Sequence, residues 1–88
     1  MKIYFPKADP VVTPNGAIAF SAQVKSTGRI ISVEITEEAL RAHFGAKSRN
    51  PHDLISAFIG GKRRIHKVAR RKILLTTTER YLLVAADF

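Results

Sequence analysis

Two stretches of alternating hydrophobicity flank a short turn, and they constrain this chain more than any other feature. Over residues 17–25, Ile18, Phe20, Ala22 and Val24 point one way, while Ala19, Ser21, Gln23 and Lys25 point the other. Over residues 29–35, Ile31, Val33 and Ile35 alternate with Ser32 and Glu34. A period of two puts successive side chains on opposite faces of a strand, so each stretch predicts a half-buried strand. Between them, Ser26-Thr27-Gly28 supplies a turn in which the glycine reaches positive φ without steric penalty. The prediction is a β-hairpin with one apolar face. Upstream, residues 2–5 are β-prone and stop at Pro6. Residues 7–16 hold Pro10, Pro14 and the turn pair Asn15-Gly16, and read as a loop leading into the hairpin.

After the hairpin the period changes. Thr36 can accept a free backbone N–H at a helix start, and Glu37 and Glu38 suit the positive end of its dipole. Leu40 and Phe44 lie four apart on one face, and Gly45 is placed as a left-handed stop, so residues 37–44 are predicted helical. Asn50-Pro51-His52-Asp53 opens a second helix with an asparagine cap, a proline at the first position and an acid in the first turn. Leu54, Phe58, Ile65, Val68 and Ala69 then share a stripe at about 100° per residue. The second helix is expected over residues 51–73, interrupted by Gly60-Gly61. Two glycines lose roughly 2 kcal/mol of helix propensity against alanine. Close backbone packing or a kink would account for them. Residues 75–79, with three consecutive threonines, read as a turn or strand entry. Residues 80–86 form a β-prone apolar strand expected to be buried on much of both faces.

Eighty-eight residues make one domain, with 45% hydrophobic and 25% charged residues as in ordinary globular proteins. There is no cysteine, which excludes disulfides, thiolate catalysis and cysteine-ligated zinc. No apolar run approaches a membrane span, and the first residues lack the features of a signal peptide. A cytoplasmic protein without membrane partners is expected.

The charge is distributed very unevenly. Residues 62–72 carry seven of the fifteen basic residues and no acid, so +7 of the formal +8 sits there. Clustered charge points to a partner. On a helical wheel Arg63, His66, Lys67, Arg70 and Arg71 spread over the side opposite the apolar stripe, with Arg64 at its edge and Lys62 bordering the stripe. Lys72 falls on the apolar side. Such a face could contact phosphates, because sequence-independent affinity needs only spaced cations that release counterions. It could equally be the solvated outside of an amphipathic helix. No Phe or Tyr interrupts the run, and no helix-turn-helix, RNP-like or zinc-finger pattern is present. Any nucleic-acid binding is expected to follow phosphate rather than base sequence.

The chain also resembles, along its whole length, a small bacterial family known as domain of unknown function 1488. The resemblance is carried by Ile3-Tyr4-Phe5-Pro6, the hairpin with Gly28 in its turn, Glu38-Ala39-Leu40 and His43-Phe44-Gly45. It continues through Phe58, Ile65 and Ala69-Arg70-Arg71 to the closing Asp87-Phe88. It implies a compact α+β domain with a small antiparallel sheet and two helices, and it implies no activity.

Catalytic chemistry finds no set of residues. His43, His52 and His66 lack metal-ligand spacing, no serine lies in a nucleophile elbow, and Glu37-Glu38 is accounted for as helix-start charge. His43 at the end of the first helix suits the dipole there. Gly60-Gly61-Lys62 lacks the spacing of a phosphate loop. The expected fold is therefore two-layer α+β. A small antiparallel sheet of three to four strands, from residues 2–5, 17–25, 29–35 and 80–86, packs on two helices near 37–44 and 51–73. The expected function is a non-enzymatic binding module without cofactor or metal. Its candidate polyanion contacts are Arg63, Arg64, Lys67, Arg70 and Arg71, and its partner is nucleic acid or an acidic protein. The alternative is a homo-oligomeric or protein-interaction module, since exposed sheet edges and the apolar run Leu82-Leu83-Val84 could be buried by self-association.

Overall fold

The computed structural model describes residues 2–7, 9–75 and 78–88. Five strands and three helices follow in the order β1 (Ile3–Tyr4), β2 (Val11–Val12), β3 (Ile18–Val24), β4 (Ile30–Ile35), α1 (Glu37–His43), α2 (Pro51–Gly60), α3 (Lys62–Leu75) and β5 (Arg80–Leu83). A 3-10 turn, Ala85–Asp87, closes the chain. Thr76 and Thr77, within the segment expected to be a turn or strand entry, lie outside the described residues.

The hairpin forms as the alternation predicts. β3 and β4 pair antiparallel from Ile18 opposite Ile35 to Gln23 opposite Ile30. Gly28 takes φ 73° in the turn, a conformation that side chains with a Cβ resist. The opposite edge of β3 is shared by two short strands. β1 pairs with its end at Val24 and Gln23, and β2 with its start at Ala19 and Ile18, both antiparallel. β2 lies inside the segment read from sequence as a loop. Prolines confined it to two residues, too few to show an alternation.

The sheet order is β1-β3-β4-β5, and the sheet is mixed rather than wholly antiparallel, because β5 joins β4 in parallel. The intervening chain explains this. Three helices lie between β4 and β5, and a crossover of that length returns the chain to the end at which β4 began. β5 ends at Leu83 rather than residue 86 and is buried on one face only: Tyr81 and Leu83 point inward, and Leu82 is 49% exposed. The helices form a single layer, so only one face of the sheet is covered.

That layer packs Ala39, Leu40, Leu54, Ala57, Phe58, Ile65, Ala69 and Ile73 against Ile18, Ala22, Val24, Ile31, Val33, Ile35, Tyr81 and Leu83. Helix α1 starts where expected, with the Thr36 hydroxyl accepting from the Ala39 amide at 3.1 Å. Helix α2 is capped by Asn50 Oδ1, which accepts from the His52 amide at 3.0 Å, and begins at Pro51.

The single helix expected over residues 51–73 is instead two, separated at Gly61. Both explanations offered for the glycines apply, and Gly61 carries them. Its φ is an ordinary −103°, but any Cβ there would overlap the Phe44 ring. The ring sits where a side chain would otherwise be, and the helix breaks beside it. Gly60 has open space around its missing Cβ. No helix among the described residues is long and apolar enough to cross a membrane.

Candidate functional site

Helix α3 is held to the core by Ile65, Ala69 and Ile73, each 2% exposed or less. Those contacts determine which side of the helix meets water. Arg63, Arg64, Lys67, Arg70 and Arg71 are all exposed. At about 100° per residue they occupy an arc of about 120°, and Arg63, Lys67 and Arg71 climb two turns over about 12 Å. The spacing of the apolar residues thus builds a rigid cationic face.

The five differ in how firmly they are held. Arg70 lies at one border, where its Nη2 donates to the Ile3 carbonyl at 3.2 Å and its guanidinium lies 5.5 Å from the Phe5 ring centre. Arg64 lies at the other border, 5.4 Å from the Phe44 ring centre and 5.7 Å from that of Phe88. Stacking on aromatic faces orients a guanidinium and leaves its charge available. Among the described residues, Arg63, Lys67 and Arg71 between them make no ion pair or side-chain hydrogen bond.

Three further basic or titratable residues of the run lie off the face, Lys62 and Lys72 as their places on the wheel imply and His66 against its outward placement. His66, placed by the helical wheel among the outward residues, stacks on Phe5 with ring centres 3.9 Å apart and planes 7° from parallel. Burial, reinforced by Lys62 and Arg70, lowers its pKa from the usual 6.5 to about 4, so it is neutral at physiological pH. Lys62 lines a depression of about 480 Å³ that runs from residues 5–13 across β3 and β4 to the start of β5, and Asp9, Glu34 and Arg80 line it too. Opposite charges offset one another there. Lys72 reaches across to the last turn, bonding the Leu82 carbonyl at 2.8 Å and Asp87 Oδ2 at 2.9 Å. Burial alone would raise the Asp87 pKa, but the Val84 amide and the Lys72 ammonium together bring it below its usual value. His43 also serves the last turn, with Nε2 2.9 Å from the Ala85 carbonyl.

The face does not stop at α3. Lys2, Ile3, Tyr4, Lys25 and Arg70 line a second depression of about 330 Å³ at the edge of the sheet. The β1–β3 register sets Lys2 beside Lys25, whose amide donates to the Lys2 carbonyl at 2.9 Å. Sequence reasoning missed Lys2, Tyr4 and Lys25. They lie far from residues 62–72 along the chain, and no local pattern links them to it.

A protein-family model described as "Protein of unknown function (DUF1488)" matches residues 3–83, from β1 through β5. No curated protein and no solved structure matches the chain. With the match spanning every strand and helix, the chain belongs to the DUF1488 family.

Proposed function

We propose that this protein is a non-enzymatic binding module that contacts nucleic acid through the outer face of α3. The observation that carries the reading is the three-residue row Arg63, Lys67 and Arg71, exposed and without ion pairs among the described residues, between two arginines braced on aromatic rings. Three arginines elsewhere on the surface do meet acids, Arg41 and Arg49 at Glu37 and Arg29 at Glu79. A row of unneutralised cations on a rigid helix repels itself. Phosphates relieve that repulsion and release counterions as they bind.

The test is a titration of labelled DNA and RNA at about 50 and 200 mM salt. Five phosphate contacts should weaken binding roughly 100- to 500-fold across that range. The variant combining Arg63→Ala, Lys67→Ala and Arg71→Ala should bind more weakly and show a shallower salt dependence. Absence of binding by the unaltered protein at low salt would rule out the reading.

A second reading, self-association, has its own support. Leu82 is 49% and Val84 37% exposed on and beside β5, an outer strand of the sheet. Light scattering on a size-exclusion column decides it: a monomer at high concentration would exclude association through this edge.

A further inference from the structure

We infer that the depression between β1, β3 and α3 is a seat for one nucleotide of a single strand, with Tyr4 as its stacking surface and Lys2, Lys25 and Arg70 as its phosphate contacts. This rests on the nucleic-acid reading of α3 and specifies the form of nucleic acid that it takes.

Three observations carry it. The cationic surface is continuous, because Arg70 belongs both to the α3 face and to the depression. Lys2 and Lys25 are exposed beside it, and no acid lines the depression among the described residues. Tyr4 is 42% exposed in the same place, so the aromatic side chain missing from the basic run is supplied by another element.

Tyr4 is also held in position. Its hydroxyl donates to Gln23 Oε1, and Gln23 Nε2 donates to the Gly28 carbonyl at 3.0 Å, tying the ring to the hairpin. A ring positioned before binding loses little freedom when a base stacks on it. In a duplex the bases already stack on one another and present only their edges. A partly exposed ring lining the same depression as three cations therefore matches an unpaired base and its phosphate. The cations also lie on two elements, so a ligand touching all of them must turn from the helix face to the sheet edge. A single strand makes that turn far more readily than a stiff duplex.

The experiment compares fluorescently labelled oligonucleotides of about 12 nucleotides, single-stranded and duplex, against the unaltered protein and three variants. The single strand should bind more tightly than the duplex. Tyr4→Ala should weaken single-strand binding by roughly 5- to 100-fold without altering its salt dependence, whereas Tyr4→Phe, which keeps the ring but not its tie to Gln23, should lose less. The double variant Lys2→Ala with Lys25→Ala should reduce the slope of log affinity against log salt by about 1.4. All these side chains are exposed, and circular dichroism checks that each variant is folded. Equal affinity for duplex and single strand, or unchanged binding by Tyr4→Ala, would overturn the inference. If binding then falls only when Arg63, Lys67 and Arg71 are replaced, the α3 reading survives alone. If the unaltered protein binds neither form, both fall.

Discussion

On one side of α3, Ile65 and Ala69 are fully buried and Ile73 nearly so. On the other, Arg63, Lys67 and Arg71 stand in water without partners among the described residues. The two sides are one turn apart in sequence and obey different energetics. Inside, each methylene fills space that nothing else can fill, so a deletion leaves a cavity. Outside, a side chain can be shortened with little effect on the fold, and its contribution lies in what it attracts. Lys72 and His66 show that charge type does not assign a residue to a side. Both belong to the basic run, yet one bonds the final turn and the other stacks as a neutral ring.

The sharpest way to break this contrast is to truncate one residue from each side. Ile65→Ala should destabilise the protein by about 2–5 kcal/mol, whereas Lys67→Ala should change stability by less than about 0.5 kcal/mol. Urea unfolding monitored by circular dichroism measures both. Equal losses would mean that the basic side is structural after all.

A smaller effect is expected at the joint that orients α3. Gly61→Ala forces a methyl group into the Phe44 ring and should destabilise by about 1–3 kcal/mol, despite the better helix propensity of alanine. Gly60→Ala, with open space around it, should instead stabilise by about 0.5–1 kcal/mol. Thermal unfolding of the two variants compares them. A stable Gly61→Ala protein would show that Phe44 yields.

The smallest effect is a pH dependence. In the unfolded chain His66 takes up a proton near 6.5, and in the fold only near 4. The unfolded state therefore binds more protons between these values. Stability is full above about 6.5 and declines as pH falls towards 4. Because His66 is only partly buried, the loss between about pH 7 and 5 should be on the order of 1 kcal/mol. His66→Phe keeps a ring against Phe5 and should lose correspondingly less stability over that interval. Identical pH profiles for the two proteins would show that His66 is solvated rather than packed.

Much of this was legible along the chain. Alternation over Ala17 to Ile35, the caps at Thr36 and Asn50 and the stop at Gly45 are local signals, and their elements formed where those signals lay. Ile65 and Ala69 were readable as inward from their spacing alone. The parallel joining of β5 was not, because strand direction in a sheet depends on where a crossover returns. The break at Gly61 was half legible: the glycines marked a place, and the ring that occupies it belongs to Phe44, which caps the end of α1. The outward placement of His66 failed because the wheel sets it at the border, close to Ile73, and only the packing of Phe5, distant in sequence, decided that the border there is covered.

The same division runs through the candidate site. The amino-acid sequence by itself determined that seven basic residues and a shorter apolar stripe would share one helix, since periodicity is a property of neighbours. Only the tertiary structure decided which of those cations stayed free, which were braced by Phe5, Phe44 and Phe88, and which were turned to packing. It also set Lys2, Tyr4 and Lys25 beside Arg70. Such neighbours come from strand pairing and helix docking, which follow from burying apolar surface across the whole chain and leave no trace in the spacing of adjacent residues.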